Sequence, residues 1–470
     1  MRLTHQAGLE PLLAALREES VRLGARASLV GGYVRDRLLG RDCKDLDVVV
    51  ERGAGLELAR AVAARLGTRE PVVFERFGTA QVAWGDFLVE FVSARAERYD
   101  PGSRKPDVRP GTLEEDIWRR DFTANALLSD FDGEVSDVTG LGLADLDARL
   151  LRTPLPARET FSEDPLRMVR AVRFAATLEF SLHQDIPPAI AACLPRLQPG
   201  TVVSVERITE ELRRMLLSPH PGRALRLMRA MGMLAPILPE VEAMAGVEQT
   251  GFHDRDVLEH TLDALEATAP PRLTGPDLLV ARLAVLFHDA GKPATAARDG
   301  DRVTFLGHPE VGAELAREAL RRLRFSNEVV DAVARLVELH MRPVQYDPQG
   351  WSDGAVRRLV RDADELLPAL LELTRVDTAA SAYPEAEAAR KLGDLEARIH
   401  ALGADEVRRA VPPLTGDALM ERFGRGPGPW IGRVQRALLD AVLDGDLPAG
   451  AGHEAEALEY LGRHPELVAE

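Results

Sequence analysis

Two aspartates in the first fifty residues have a type and spacing that indicate metal chemistry. Asp45 and Asp47 lie in the segment Asp45-Leu-Asp-Val-Val-Val50, whose alternating and then β-branched residues predict a strand. Side chains two residues apart in a strand project from the same face, so the two carboxylates would lie side by side. They would repel each other unless a cation bound there, and oxygen ligands suit Mg²⁺. The pair predicts a magnesium site that could activate a hydroxyl and bind a nucleoside triphosphate. Two solvated acids at the start of a strand are the alternative.

A glycine pair precedes these aspartates and a third acid follows them. Gly31 and Gly32 stand between a short apolar run and the start of a helix, where a phosphate could approach backbone N–H groups. A structural turn is the commoner explanation of a glycine pair alone, and the segment fits neither the dinucleotide fingerprint nor the lysine-bearing phosphate loop. Glu90 lies in the later predicted strand Phe87 to Val92 and could supply a third carboxylate to the metal.

An arginine-rich helix is predicted further along the chain. Three of its arginines recur at intervals of three residues and cover about 120° of the helix surface; they are Arg167, Arg170 and Arg173. We expect Asp164, at the start of the helix, to hold Arg167 by a charge-assisted hydrogen bond and to offer an acceptor to a base edge. A solvated arginine face is the alternative interpretation.

Histidines are few in this chain, yet five of the 11 occur in one window with acids nearby: His253, His260, His288, His308 and His340. The adjacent pair His288-Asp289 ends a helix-like run that is apolar except for one arginine. Imidazole and carboxylate groups are ligands for zinc, manganese, iron or nickel. Single histidines are usually packing or solvent-exposed residues, which makes His308 and His340 weaker candidates than the adjacent pair.

The elements that must position these residues change character along the chain. The first part mixes strand and helix patterns, with strands predicted at Ala27 to Val30, Gln81 to Trp84 and Phe87 to Val92, and a helix at Gly55 to Leu66. From about residue 155 onward the strand signal nearly vanishes. Apolar residues at three- and four-residue spacing then predict helices over Leu166 to Leu178, Val205 to Leu217 and Ala224 to Leu234.

Length and composition exclude several classes of protein. The 470 residues predict about three domains, and 45% hydrophobic with 29% charged residues are typical of a soluble globular protein. Charges interrupt every apolar run before the ~18 residues that a membrane span needs, and the N-terminus does not resemble a secretory signal. The two cysteines, Cys43 and Cys193, cannot form a disulfide framework, which favours a cytoplasmic location. A net charge of -16 argues against nonspecific coating of nucleic acid but allows a local basic groove.

The ordered motifs over roughly residues 20–240 resemble those of class II tRNA nucleotidyltransferases and of bacterial poly(A) polymerases. Five motifs match in order and spacing: Gly31-Gly32, Arg35-Asp36, Asp45-x-Asp47, Arg119-Arg-Asp-Phe-Thr-x-Asn-Ala126 and Glu163-Asp-x-x-Arg167. The resemblance implies a polymerase-β-like head in which Asp45 and Asp47 bind Mg²⁺. The hinge between the head and neck domains of these enzymes would correspond to Asp137 to Asp145.

The same resemblance implies how a nucleotide is bound. Gly32 and Arg35 would contact the triphosphate, the Arg-Arg-Asp motif would lie beside the sugar and phosphates, and Asp164 with Arg167 would read the edge of cytosine or adenine. A carboxylate and a guanidinium offer opposite hydrogen-bond roles, so a small rearrangement could read either base. The predicted nucleotide-binding residues are Gly32, Arg35, Arg119, Arg120, Asp121, Asp164, Arg167, Arg170 and Arg173.

The histidine window, over about residues 250–380, resembles the HD phosphohydrolase superfamily, whose signature is a histidine, a His-Asp pair and a distal aspartate. The resemblance implies a divalent transition metal held by His260, His288, Asp289 and Asp377, with His308 and His340 as additional candidates.

Together these resemblances predict an α+β chain of four domains. A polymerase-β-like nucleotidyltransferase head with a mixed sheet and helices (1–150) would be followed by all-α parts: a neck for nucleobase and RNA binding (151–245), an HD domain (246–380) and a tail (381–470). The tail resembles that of the same enzymes and would either contact tRNA or only support the fold.

The leading interpretation is a magnesium-dependent enzyme that adds CMP and AMP from CTP and ATP to the 3′ end of tRNA without a template, with an accessory HD phosphohydrolase activity. The segment Tyr99 to Asp107 looks short for the flexible loop that full CCA-adding enzymes need, so addition of CC alone or A alone is an alternative. The acidic last 30 residues disfavour a poly(A) polymerase. An HD phosphodiesterase with a regulatory nucleotide-binding head is disfavoured by the intact aspartate pair. The sequence leaves the oligomeric state open.

Overall fold

The computed structural model describes residues 1–74, 78–98, 107–198, 200, 202–249, 255–300 and 302–469. His253 and residues 99–106 of the predicted short loop lie outside the described residues. The chain divides into two compact units, Met1–Ile237 and Leu238–Glu470. The finer division into four domains stays a prediction.

The first unit combines helices with a mixed sheet. Its helices are α1 Glu10–Leu23, α2 Gly32–Leu38, α3 Gly55–Leu66, α4 Leu113–Trp118, α5 Gly142–Asp147, α6 Ala157–Glu163, α7 Leu166–Thr177, α8 Ile186–Cys193, α9 Val205–Leu216, α10 Pro221–Ala230 and α11 Leu234–Ile237. Its strands are β1 Ala27–Val30, β2 Asp45–Val50, β3 Val72–Phe74, β4 Thr79–Trp84, β5 Phe87–Ser93, β6 Arg95–Arg98, β7 Asp107–Pro110, β8 Leu127–Ser129, β9 Val135–Asp137, β10 Leu150–Leu151 and β11 Ser181–Leu182.

Seven of these strands form one sheet in the order β3-β4-β5-β2-β1-β8-β9. The strand that carries the two aspartates, β2, is central, parallel to β5 and antiparallel to β1. Its three successive valines, Val48 to Val50, are fully buried, because a central strand covered on both faces needs apolar residues at consecutive positions. The charged end of β2 therefore lies at the edge of a rigid apolar layer.

The second unit is almost entirely helical. Its helices are α12 Pro239–Glu242, α13 Val257–Glu266, α14 Gly275–Phe287, α15 Lys292–Thr295, α16 His308–Arg322, α17 Asn327–Leu339, α18 Met341–Val344, α19 Asp353–Ala363, α20 Leu367–Ala379, α21 Glu385–Ala401, α22 Ala404–Arg409, α23 Gly416–Phe423, α24 Pro429–Asp444 and α25 Glu454–Arg463. Its described residues also form two strands, β12 Ala297–Asp299 and β13 Arg302–Thr304. Within the described residues, no helix is long and apolar enough to cross a membrane.

The predicted mixed-sheet head and helical remainder are confirmed, and β1, β2 and α3 have the bounds that their sequence patterns predicted. Among the described residues, the structure adds three short pairs of strands that the sequence did not predict: the antiparallel pairs β6–β7 and β12–β13 and the parallel pair β10–β11. Strands of two to four residues are too short to show the alternating pattern by which a strand is recognised.

Candidate active sites

A cavity of about 560 Å³ in the first unit brings the three predicted carboxylates together, since Asp45, Asp47 and Glu90 all line it. Glu90 is the register partner of Asp47 in the parallel pairing of β2 with β5. Burial raises the pKa of Asp47 to about 6; Arg120 opposes this shift, and the carboxylates of Glu90 and Asp45 add to it. A divalent cation at this point would neutralise the crowded acids, so the residues fit the oxygen-rich site that Mg²⁺ prefers.

Gly31 lies between β1 and α2, directly against Asp47. Its φ of 73° belongs to the left-handed region that favours glycine. A Cβ at this position would lie 2.9 Å from Oδ2 of Asp47 and 3.3 Å from Nη1 of Arg120. A larger residue would therefore strain the backbone and displace the carboxylate. Gly32, the first residue of α2, lines the same cavity.

Arg35 lines the cavity with its guanidinium already oriented by neighbours. It donates from Nε and Nη2 to the two carboxylate oxygens of Asp36, each at 2.8 Å, and from Nη1 to Oδ1 of Asn125 at 2.6 Å. The guanidinium carbon lies 5.0 Å from the ring centroid of Phe174. Because its side chain is buried and fixed, Arg35 presents a positive charge in one place at little further entropic cost.

Arg119 and Arg120 both bind the buried carboxylate of Asp116 in α4. Arg119 donates from Nε to Oδ1 at 3.3 Å, and Arg120 donates from Nε and Nη2 to Oδ2 at 3.2 and 3.1 Å. Arg120 is among the described residues that line the cavity, whereas Arg119 is not. Asp116 was not predicted as a site residue, because a buried acid in a short helix has no periodic signal in the sequence.

Asp121 is a buried anion at the wall of the cavity. Its carboxylate accepts hydrogen bonds from Nδ2 of Asn125 at 3.0 Å and from Nε of Arg170 at 2.8 Å. Burial alone would raise the pKa of Asp121, but the charge of Arg170 and the hydrogen bond from Asn125 lower it to about 2. The side chain therefore stays ionised throughout the physiological range of pH.

Arg170 and Arg173 line the cavity and share one carboxylate, that of Glu211 in α9. Nη1 of Arg170 lies 3.3 Å from Oε1, and Nε of Arg173 donates to Oε2 at 2.5 Å. Glu211 was not predicted as a site residue. The feature of the sequence that could have indicated it is an acid on an otherwise apolar helix face, which includes Ile208 and Leu212 and is buried in the structure.

The expectation that Asp164 forms an ion pair with Arg167 is wrong. The carboxylate of Asp164 accepts from Nη2 of Arg207 at 2.7 Å, while Arg167 donates to the backbone carbonyl of Arg119 at 2.6 Å and lies 3.4 Å from the carboxylate of Glu163. The backbone of Asp164 is extended, with φ -133° and ψ 99°, so its side chain does not follow the helical direction of α7.

Neither Asp164 nor Arg167 is among the described residues that line the cavity. The residues that α7 and α9 contribute to its wall include Arg170, Arg173 and Arg214. Arg214 is a cationic residue that was not predicted from the sequence.

The six predicted metal-binding residues of the second unit lie close together. Asp377 is half-buried and the other five are buried; the six are His260, His288, Asp289, His308, His340 and Asp377. Nε2 of His260 lies 2.9 Å from Oδ1 of Asp377, and Nε2 of His288 lies 3.3 Å from Oδ2 of Asp289. Two groups of described residues place their ligand atoms close enough for one ion: His260, His288 and Asp289, and Asp289, His308 and His340.

All four imidazole rings have Nδ1 against a backbone carbonyl. The contacts are His260 to Ala380 O at 3.3 Å, His288 to Val285 O at 2.8 Å, His308 to Phe305 O at 2.8 Å and His340 to Val337 O at 2.6 Å. Such carbonyls fix the proton on Nδ1 and leave Nε2 as the ligand atom, an arrangement common around protein metal sites.

The buried histidines and aspartates of this cluster shift one another's pKa values. Burial alone would lower the pKa of His288, but Asp289 and Asp377 raise it to about 10. The pKa of Asp289 is well below its ordinary value although burial opposes this, because His288 and Lys292 stabilise the anion. Burial lowers the pKa of His340 to about 4.

The donor set fits a divalent transition metal. Nε2 of His288 is buried without an aligned hydrogen-bond partner in the described structure, and it points at two carboxylates. A metal ion would use this lone pair and would replace the proton that the carboxylates otherwise hold there.

A second cavity, of about 450 Å³, opens onto Asp289, His308, His340 and Asp377. Its walls are mainly apolar, and two lysines reach it: Lys292, which donates to Oδ2 of Asp289 at 2.7 Å, and Lys391, which donates to the hydroxyl of Tyr383 at 3.0 Å.

Three family models match successive parts of the chain. The poly A polymerase head domain matches residues 27–152, the probable RNA and SrmB-binding site of polymerase A matches residues 179–244, and the HD domain matches residues 257–371. Asp377, Tyr383 and Lys391 lie beyond the last of these ranges.

Curated relatives match most of the chain. It is 36% identical over 439 residues to the A-adding tRNA nucleotidyltransferase of Deinococcus radiodurans, covering 92% of this chain and 94% of that protein. It is 37% identical over 441 residues to the CC-adding tRNA nucleotidyltransferase of Thermus thermophilus, with 91% and 92% covered. Among solved structures, the CCA-adding enzyme of Bacillus stearothermophilus in complex with CTP is 26% identical, with a TM-score of 0.70 over 98% of this chain and 100% of that one.

Proposed function

The chain belongs to the tRNA nucleotidyltransferase family that also includes bacterial poly(A) polymerases, and we propose that it adds CMP and AMP, from CTP and ATP, to the 3′ end of tRNA. The single observation that carries this proposal is the cavity that unites Asp45, Asp47 and Glu90 with the Gly31-Gly32 turn and Arg35. Crowded carboxylates beside oriented guanidinium groups suit a metal-bound triphosphate.

Asp45 and Asp47 would hold Mg²⁺, with Glu90 as a third carboxylate. When bound, the metal would lower the pKa of the tRNA 3′ hydroxyl and neutralise charge on the triphosphate. In the reaction, the 3′ oxygen would form a bond to the α-phosphorus while the bond from that phosphorus to the pyrophosphate oxygen breaks, and the hydroxyl proton would pass to water. The chain's own residues contribute positioning, because a fixed geometry removes much of the entropic barrier of a two-substrate reaction.

The cationic residues of the cavity would bind the nucleotide. We assign the β- and γ-phosphates to Arg35 and the N–H groups of the turn at Gly32, and the sugar and α-phosphate to Arg120 and Asp121. Arg119 would act indirectly, since its carbonyl holds Arg167.

Asp164 and Arg167 would hydrogen-bond to the edge of the base after each side chain has released its present hydrogen-bond partner. Arg207 and the carbonyl of Arg119 occupy these groups in the described structure. Arg170 and Arg173 already line the cavity, so they would contact the nucleotide without such a rearrangement.

Addition of CC alone or of A alone is the second candidate. Its support is that two curated relatives matched over more than 90% of their length are a CC-adding and an A-adding enzyme, at nearly equal identity. Similarity therefore does not select between the two steps, whereas the predicted short segment at 99–107 puts the last step, the addition of A, in doubt.

One assay separates these candidates. The protein is incubated with tRNA that lacks its last three nucleotides, and in parallel with tRNA that ends in CC, each with labelled CTP, ATP or both. Full CCA addition predicts three nucleotides on the first substrate and one on the second. A CC-adding enzyme would stop after two, and an A-adding enzyme would act on the second substrate only. Long adenosine tails on both would support a poly(A) polymerase, and no incorporation on either would contradict the proposal.

The HD part would be an accessory phosphohydrolase. His260, His288, Asp289 and Asp377 would hold a transition metal, which when bound would activate water. Lys292 would keep Asp289 ionised, and the adjoining cavity would take a phosphate ester. Hydrolysis of 2′,3′-cyclic phosphates and phosphomonoesters tests this activity. We further assign the head, neck, HD and tail domains to the ranges predicted from the sequence, and the protein to the cytoplasm.

A further inference from the structure

The cavity of about 450 Å³ beside the histidine and aspartate cluster has an apolar wall that binding of a phosphate group does not require. The apolar side chains of this wall include Phe305, Leu306, Met341, Val344 and Leu392. Leu306 is 87% exposed and Val344 is 36% exposed, so apolar surface remains uncovered at the cavity. A concave apolar site of this size suits the ring system of a small organic ligand.

The two lysines of the cavity have different surroundings. Nζ of Lys292 donates to Oδ2 of Asp289 at 2.7 Å, so the carboxylate of the cluster compensates its charge. Nζ of Lys391 donates to the hydroxyl of Tyr383 at 3.0 Å, and its carboxylate neighbour among the described residues is Glu387, at 3.5 Å. Lys292 therefore belongs to the cluster, whereas Lys391 offers hydrogen-bond donors on the part of the wall that α21 forms.

Tyr383 holds the ammonium group of Lys391 in place. The tyrosine hydroxyl donates to Oε1 of Glu387 at 2.7 Å and accepts from Nζ of Lys391. Nζ also lies 5.4 Å from the centroid of the tyrosine ring. An ammonium group has three N–H donors and no acceptor, so Lys391 can still donate to a ligand in the cavity.

Three hydroxyl groups that line the cavity offer acceptors rather than donors. They belong to Thr374, Thr378 and Ser381. Each hydroxyl donates its proton to a backbone carbonyl three or four residues earlier in the chain, at 2.9, 2.8 and 2.8 Å respectively. Their remaining lone pairs are therefore available to the N–H groups of a ligand. The wall thus combines donors from one lysine with acceptors from three hydroxyls.

We propose that this cavity binds a guanosine phosphate, with the guanine base on the apolar wall and Lys391 donating to its O6 and N7 atoms. The inference rests on the accessory phosphohydrolase activity proposed above and names the nucleoside of its substrate. A lysine matches the two acceptors on this edge of guanine, whereas adenine presents an amino group beside N7. The three hydroxyls supply acceptors for the N1–H and amino donors of the same base.

The groups that would read the base follow the range of the HD family model, which ends at residue 371. Tyr383 lies just before α21 and Lys391 lies within it. The preference for one base would therefore be a property of this later segment, while the phosphate would lie at the histidine and aspartate cluster.

Hydrolysis of two matched esters tests the inference. The kcat/KM of the full-length protein is measured for guanosine and adenosine 2′,3′-cyclic phosphates, and we expect the wild type to prefer the guanosine ester about ten- to a hundredfold. Lys391→Met keeps the aliphatic stem but removes the donors, so the ratio should fall to about one. Lys391→Arg restores N–H donors and should retain a preference for guanosine. Arg390→Met, which alters an exposed cation next to Lys391 on the same helix, is the matched control and should keep the wild-type ratio.

Equal kcat/KM values for the two esters in the wild type would overturn the inference and leave the phosphohydrolase activity. Loss of rate on both esters in Lys391→Met with the preference retained would show a structural role for Lys391 and would also overturn it.

Equilibrium binding provides a readout that needs no hydrolysis. Isothermal titration compares guanosine 2′-phosphate with adenosine 2′-phosphate for the wild type, Lys391→Met and Arg390→Met. Tighter binding of the guanosine phosphate that is lost only in Lys391→Met would support the inference, even if the protein hydrolysed neither ester and the proposed activity failed. Binding of the two phosphates with equal affinity, or of neither, would overturn it.

Discussion

The guanidinium of Arg170 is bound to the carboxylate of Asp121 through two nitrogen atoms, with Nε at 2.8 Å and Nη2 at 2.7 Å from Oδ2. The contact joins the arginine-rich helix α7 to the segment that follows α4, and it continues through Arg170 to Glu211 in α9. The guanidinium is thereby fixed between two carboxylates. Arg170 is thus a fixed part of the wall, to which a nucleotide must fit.

Loss of Glu211 should destabilise the first unit. Glu211→Gln removes the carboxylate charge that compensates the buried Arg173 and that shares Arg170 with Asp121, and we expect a loss of about 2–4 kcal/mol in the free energy of unfolding. Urea denaturation followed by circular dichroism measures it. The neighbouring Glu210→Gln, a half-buried residue that pairs with arginines of the same helix, is the control and should cost less than ~0.5 kcal/mol. Equal effects of the two changes would contradict the assigned role.

Removal of either aspartate that is proposed to bind Mg²⁺ should abolish nucleotide addition while the fold is retained. Asp45→Ala or Asp47→Ala takes away one of the two carboxylates proposed to hold the metal. Incorporation of labelled CTP is the measurement, with circular dichroism as the check on folding. Asp86→Ala alters an exposed acid at the turn between β4 and β5 and should leave the rate unchanged. Near wild-type addition by either cavity variant would refute this active site.

Loss of the proposed base readers should damage selectivity more than triphosphate affinity, because the triphosphate is the same in every nucleotide. Asp164→Ala and Arg167→Ala should relax the preference for CTP and ATP over UTP and GTP about ten- to a hundredfold, as expected for a lost contact of ~1–3 kcal/mol. The kcat/KM ratios of the four nucleotides measure this, with Arg213→Ala on α9 as the control. If both variants lost rate but kept strict selectivity, these two residues would be structural.

The raised pKa of Asp47 predicts a pH-dependent cost to stability in the absence of divalent metal. Between the ordinary value of 3.8 and about 6, the folded chain holds a proton that the unfolded chain has lost, so the free energy of unfolding falls as the pH rises through this range. Asp47→Asn, which cannot ionise, should be more stable than the wild type by about 1–3 kcal/mol above pH 6 and no more stable below pH ~4. Denaturation in a chelator at pH 4 and pH 8 is the test; a difference independent of pH would contradict it.

Nucleotide addition and phosphate ester hydrolysis should be separable. Replacing His288 and Asp289 by alanine should eliminate hydrolysis of 2′,3′-cyclic phosphates and leave CTP incorporation largely unchanged, because the two groups of ligands lie in different compact units. Asp45→Ala should do the reverse. Collapse of nucleotide addition in a well-folded His288 and Asp289 variant would show that the two activities depend on each other.

The sequence determined the features that depend on neighbouring residues. The common face of Asp45 and Asp47 follows from the two-residue period of a strand, and the adjacent pair His288-Asp289 follows from chain order alone. The bounds of β1, β2 and α3 were predictable because their apolar patterns run without interruption between glycines and charged residues.

Only the tertiary structure decided which distant groups meet. The register of β2 with β5 sets Glu90 beside Asp47. The packing of α7 on α9 brings Arg207, and not Arg167, into hydrogen-bond contact with the carboxylate of Asp164. The backbone of His308 likewise packs closely against Gly291, which brings the His308 ring within reach of Asp289. Sequence periods specify the face on which a side chain lies, but strand register and helix packing depend on the whole buried surface. A pairing between residues that are tens of positions apart is therefore fixed only when the chain has folded.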